Sequence, residues 1–173
     1  RAAIIEETVD QASALARATK ESGALEALLR SGRRDAELLC VEALYGWIKD
    51  HGHICYTSSH LDTLPANSAS YQRIRGPHEI LRGKRATCLD LALFVAGCLE
   101  RLGLMPLIIL LGENKGKPSH AFTGCWLGSS PGSRSIIEDR EYLEGEVAAG
   151  HMCLFETTGV ADGLKGNGQK LEF

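Results

Sequence analysis

The sequence predicts an α+β domain: a helix-rich first half, one cysteine-headed central helix, and then mostly consecutive strands forming a largely antiparallel sheet against that helix. Three observations carry this. Apolar residues recur at helical spacing up to about residue 50. Residues 88–102, CLDLALFVAGCLERL, are apolar nearly all round, which marks a helix at the centre of a fold. After Gly103 come the short apolar runs MPLIILL, HAFTGCWL and HMCLFETT, separated by Gly- and Pro-bearing stretches, as strands and turns are.

The elements follow in order. Residues 2–30 are rich in Ala, Leu and Glu, with Ile5, Val9, Ala12 and Ala16 on one helical face. Leu25, Leu28 and Leu29 repeat the pattern beyond a break at Ser22-Gly23. Residues 33–50 form a clearer helix with Leu38, Val41, Tyr45 and Ile48 on one face, widened by Leu44 and Trp47 and ended by Asp50-His51-Gly52. A short strand is expected at 53–56 and a long polar loop at 57–76, the kind of loop that often serves function. Pro77 opens a helical turn, where its missing N–H costs little. The central helix runs from 88 and stops at Gly103. Strands are expected at 105–111, 120–127 and 151–158, with a turn at 128–134. Residues 135–146 mix strand and helix signals, and the Gly-rich end reads as a flexible tail. The organisation is one domain: a helical part at 1–52, a core at 53–159 and the tail at 160–173. Because Arg1 rather than Met opens the chain, it reads as a domain of a longer protein.

Composition narrows the function. A chain of 173 residues with 44% hydrophobic and 24% charged residues suits one globular core. A net charge of −3 gives no reason to expect nucleic-acid or membrane-surface binding, and no apolar run is long enough to span a bilayer. The six cysteines are widely spaced without a C-x-x-C pair, so neither a disulfide framework nor structural zinc is expected, and the reading is a reducing cytoplasm. Cys40, Cys98, Cys125 and Cys153 sit in apolar runs and read as core. His120 and Cys125, an odd number of positions apart on a strand, face opposite ways and do not make a metal pair. His51, His53, His60, His78 and His151 read as surface or loop residues, and Trp47 and Trp126 as packing residues, with the cleft border as the alternative place for Trp126.

Cys88 is the exception among the cysteines. It stands where the basic segment GKRAT meets the apolar helix, with Thr87 as the expected N-cap. A helix N-terminus and the neighbouring Lys84 and Arg85 both favour a thiolate, while Asp90 in the first turn opposes it in part. A thiol that attacks carbonyls needs an imidazole and a group to orient that imidazole. His120 opens a strand directly after a Gly/Pro loop, and Glu156 lies near the end of the next strand run. Together they give a Cys-His-Glu constellation in chain order.

Residues 79–127 resemble the core of the transglutaminase-like superfamily of papain-like cysteine enzymes. The resemblance rests on GKRATC, the helix CLDLALFVAGCLERLGL, the strand PLIILLG and the HAF strand start. With YQRIRGPHEIL added, the chain most resembles bacterial transglutaminase-like domains of large multidomain, helicase-like proteins. It departs from the family pattern in carrying Glu156 where Asp is commoner and Ala86 where Gly often stands, and its first 50 or so residues carry no motif of the family. The resemblance implies Cys88 as nucleophile, His120 as its base and Glu156 as the residue that orients His120, with no cofactor and no metal. The expected activity is that of a cysteine peptidase or amide hydrolase working through a thioester on a protein or peptide. Transglutaminase or deamidase chemistry is one alternative. A non-enzymatic interaction module that binds a partner or other domains of the same polypeptide is the other. No D-x-D-x-D calcium pattern occurs, which counts against a calcium-activated transglutaminase. The absence of a paired-cysteine module counts against N-glycanase activity. The oxyanion hole such chemistry needs is assigned to the Cys88 N–H and the Gln72 side chain, with Tyr71 in reserve.

Overall fold

In the computed structural model, which describes residues 27, 29–31, 35–57, 73–113, 117–128 and 136–162, the apolar stripe of Val41, Leu44 and Ile48 is buried on helix α1 (Ala36–His51). Most of the 2–30 segment, most of the 57–76 loop, most of the 128–134 turn and the end of the chain lie outside the described residues. After α1 comes a two-residue strand β1 (Cys55–Tyr56), then helix α2 (Pro77–Gly83) and a second two-residue strand β2 (Arg85–Ala86). β1 and β2 pair in parallel, with Tyr56 beside Ala86, and Thr57 N–H extends the pairing to the Ala86 carbonyl (2.8 Å). Lys84 takes the left-handed conformation (φ 52°) that ends α2 and turns the chain into β2. Two residues are too few for an alternation signal, so the sequence does not reveal this pairing.

Helix α3 (Cys88–Arg101) is the centre of the fold, as its all-round apolarity predicts. Leu91, Phe94, Val95 and Leu99 are almost completely buried. It packs on α1, on the sheet and on the turn that follows the last strand. The sheet has strands β3 (Met105–Glu113), β4 (Lys117–Trp126) and β5 (Met152–Phe155) in the order β3-β4-β5, both pairs antiparallel. Ala121, Thr123 and Cys125 are the buried alternate residues of β4, and the Thr123 hydroxyl donates to the Ala92 carbonyl of α3 (3.0 Å). That bond satisfies a fully buried hydroxyl and sets the helix against the strand. Mixed helices and an antiparallel sheet make the chain α+β.

Three boundaries differ from the sequence reading. β4 begins at Lys117, so His120 is its fourth residue rather than its first. The ambiguous stretch 135–146 resolves into helix α4 (Arg140–Ala148), nucleated by Asp139, whose carboxylate accepts from Tyr142 N–H (3.0 Å). β5 ends at Phe155, and a 3-10 turn (Thr157–Val160) follows. Nor does the chain loosen at 160: Val160 is fully buried, and Asp162 N–H donates to the Ile54 carbonyl (2.6 Å) beside β1. A buried β-branched residue and a backbone bond to Ile54, next to β1, hold residues 160–162, and neither is visible locally in a Gly-rich sequence.

Burial pushes the Cys98 and Cys125 thiols up to about 12 and the Cys153 thiol up to about 11, from an ordinary value of 9.0. The unfolded chain therefore sheds these protons from near pH 9, while the native state keeps them to about 11 or 12. The native state binds more protons across that window, so stability falls as pH rises through it. Under reducing conditions the free energy of unfolding from urea titrations should drop by about 1 kcal/mol per pH unit for each such thiol once pH is well above 9. Equal stability at about pH 8.5 and about pH 10.5 would contradict this burial.

Candidate active site

The N-terminus of α3 is built around a buried carboxylate. Asp90 is 0% exposed, and its oxygens are fully engaged. Oδ1 accepts the Arg75 backbone N–H (2.7 Å), and Oδ2 accepts the Arg75 guanidinium (2.9 Å) and the Thr87 N–H (2.9 Å). The Thr87 hydroxyl returns the favour by accepting Asp90 N–H (3.3 Å), completing a capping box. Arg75 is the opposite charge that pairs with the Asp90 carboxylate. The first four N–H groups of a helix have no intrahelical acceptor. The box takes those of Thr87 and Asp90, which leaves the N–H groups of Cys88 and Leu89 at the open end. The Lys84 ammonium donates to the Gly52 carbonyl (2.8 Å) just past α1.

His120 and Glu156 meet across the sheet. The last paired positions of β4 and β5 are Thr123 and Phe155, and just beyond them His120 Nε2 lies 2.5 Å from Glu156 Oε2. An ionised carboxylate only accepts, so Nε2 carries the proton and donates, and Nδ1 keeps the basic lone pair. Both side chains are partly open, 32% and 40% exposed, so the pair can be reached from solvent. Glu156 has a second task. Its other oxygen, Oε1, accepts Thr158 N–H (2.8 Å) and caps the 3-10 turn. Its backbone carbonyl accepts the Tyr45 hydroxyl from α1 (2.9 Å). Gly159 makes room for that phenol, because a Cβ there would come within 2.2 Å of the Tyr45 oxygen.

Cys88 is half-buried and is the first residue of α3. The β1–β2 pairing sets Tyr56 beside Ala86, two residues before it. The Tyr56 phenol is pushed up by burial first, then by Cys88 and by Glu156. The structure brings His120 and Glu156 into direct contact, and among the described residues no hydrogen bond joins Cys88 to that pair. Gln72 and Tyr71 lie outside the described residues. Tyr45 and Tyr56 are the residues that sequence reasoning missed. Tyr45 reads as one more core residue on a helix face, and Tyr56 sits in a strand too short to have a pattern.

His51, His53, His78 and His151 are exposed, and Cys40, Cys98, Cys125, Cys153 and Trp126 are buried. Cys55 is the one exposed free thiol among the described residues. Among the described residues no three His, Cys, Asp or Glu side chains converge as a metal would need, and no helix is long and apolar enough to cross a membrane. A cavity of about 420 Å³ opens between residues 74–80, α3 and β3, walled by Ile74, Pro77, Phe94, Met105 and Ile108. Arg75, the partner of Asp90, is part of the same wall. Compared with known proteins, the chain matches no family model, no curated protein and no solved structure.

Two stability predictions follow from this geometry. Asp90→Ala leaves the Arg75 and Thr87 donors without their acceptor and should cost about 3–5 kcal/mol in urea unfolding. Gly159→Ala should cost about 1–3 kcal/mol by driving the Tyr45 hydroxyl from the Glu156 carbonyl. Adding Tyr45→Phe should then cost far less than it does alone, because the clashing oxygen is gone. Strict additivity in this double-mutant cycle would show that the two residues do not interact.

Proposed function

We propose that this chain is a cysteine-dependent acyl-transfer enzyme of the transglutaminase-like, papain-like type, acting on an amide bond of a protein or peptide. Cys88 is the nucleophile, His120 its base and then its acid, and Glu156 the residue that holds the imidazole. His120 Nδ1 takes the thiol proton, and the sulphur adds to the carbonyl carbon. The C=O π pair moves onto oxygen, then returns as the C–N bond breaks, and His120 gives its proton to the leaving amine. A thioester remains. Water resolves it in hydrolysis or deamidation, and an amine resolves it in transamidation. The six thiols, free among the described residues, suit a reducing compartment, and the proposed setting is the cytoplasm.

The observation that carries the reading is the 2.5 Å contact between His120 Nε2 and Glu156 Oε2. A carboxylate that only capped a turn would need one oxygen for Thr158 and leave the other to water. Here the second oxygen fixes the tautomer of a partly exposed histidine, which is what a general base requires. The non-enzymatic reading draws on a different feature, the exposed apolar side chains Met105, Ile108, Leu110 and Leu111 of β3, which suit a partner protein.

Cys55 provides an internal control, as an exposed thiol that heads no helix. With iodoacetamide near pH 6, Cys88 should be alkylated at least about tenfold faster than Cys55, read by peptide mass spectrometry. His120→Ala should remove that advantage, and Glu156→Gln should reduce it. A Cys88 no more reactive than Cys55 in the wild type would sink the enzyme reading and leave the interaction module.

A further inference from the structure

We infer that Tyr45 is a positioning residue of this site: its hydroxyl fixes the backbone of Glu156, and through it the carboxylate that holds His120. This rests on the acyl-transfer reading above. It brings helix α1, from the part of the chain that carries no motif of the resembled family, into the working of the site.

A group that orients a general base must itself be held in place, because small misplacements cost rate steeply. Glu156 lies beyond the β4–β5 ladder, whose last pair is Thr123 with Phe155. From there its carboxylate spans the Thr158 N–H (2.8 Å) and His120 Nε2 (2.5 Å). It can meet both only while the peptide at residue 156 keeps one orientation, since a small rotation there swings the oxygens at the end of a flexible side chain. The carbonyl of that peptide is where the hold lies. The Tyr45 hydroxyl donates to it at 2.9 Å, whereas the Gly159 N–H of the turn itself stands off at 3.4 Å. The shorter bond is the stronger anchor. Tyr45 is in turn well placed to act as one. Its ring meets Phe155 edge-on, with centroids 6.0 Å apart and an interplanar angle of 87°. Its oxygen fits against Gly159, where a Cβ would come within 2.2 Å. Helix α1, which carries it, is pinned by buried Val41, Leu44 and Ile48. Burial first, and then Glu156, push the phenol up, so it stays protonated and remains a donor at neutral pH. A residue serving the core alone would need the ring and not the hydroxyl. Tyr45 touches no reacting atom and transfers no proton; it donates the same hydrogen bond throughout.

Tyr45→Phe keeps the ring and removes only the hydroxyl. The probe is p-nitrophenyl acetate, which acetylates Cys88 with release of p-nitrophenolate, read as the rate in excess of Cys88→Ala. In Tyr45→Phe, with the melting temperature checked against wild type, that rate should fall about three- to tenfold, the equivalent of one net hydrogen bond. In a Glu156→Ala background the same substitution should change the rate by less than about twofold, because the carboxylate it aims is gone. The ring nitrogen NMR shifts of His120, assigned against His120→Ala, should move in Tyr45→Phe in the direction they move in Glu156→Ala. Equal falls in both backgrounds would overturn the inference, since Tyr45 would then support the fold and not Glu156. No fall in the wild-type background, or His120 shifts that Tyr45→Phe leaves in place, would overturn it as well. A wild-type Cys88 that p-nitrophenyl acetate does not acylate would overturn the acyl-transfer reading and this inference with it, before Tyr45 is altered.

Discussion

The ion pair between Asp90 and Arg75 is the constraint on which the rest of the site depends. A fully buried carboxylate is tolerated only when its desolvation is offset by an opposite charge and by donors on its lone pairs. Here it has both, and each partner comes from a different part of the chain. The Thr87 N–H belongs to the helix start, and the Arg75 backbone and guanidinium belong to the segment before α2. One side chain therefore caps the central helix and anchors the strand-like approach to it. Because Asp90 and Thr87 satisfy each other's N–H groups, the helix end is left with free donors only at Cys88 and Leu89. The same device that makes the helix start stable also decides which N–H groups stay open.

Glu156 plays the matching part on the sheet side. Its two oxygens go to two different tasks, the Thr158 N–H and the His120 imidazole, and its carbonyl is held by Tyr45. Glu156 thus caps the turn and contacts the His120 imidazole at once. Aspartate, one methylene shorter, would have to span the same two partners from a different backbone position. The longer side chain here suits a residue that sits one position beyond β5, as the first residue of a turn rather than the last of a strand.

The exposed side chains of β3 and the cavity beside it give the domain a second, apolar character on the flank of α3. The cavity shares Arg75 with the anchor of the helix start, so the apolar flank and the polar site are mechanically one unit.

How much of this was legible in the sequence follows from the range of each signal. Helix α3, its Thr87 cap, its end near Gly103 and the run of strands after it are local patterns, and the sequence by itself determined them. The same holds for the α+β class, which needs only the order of those patterns. Cys88, His120 and Glu156 could be picked out because each residue type is unusual at its local position. The tertiary structure alone decided what those residues touch. The partner of Asp90 lies 15 positions away, Glu156 lies 36 positions from His120, and Tyr45 lies 111 positions from Glu156. Tyr56 is set beside Ala86 by a strand pair two residues long, which leaves no periodic trace. Short-range chemistry, caps and periodicity are written in neighbouring residues. Hydrogen bonds between elements depend on packing that brings distant residues together, and only the folded chain sets them.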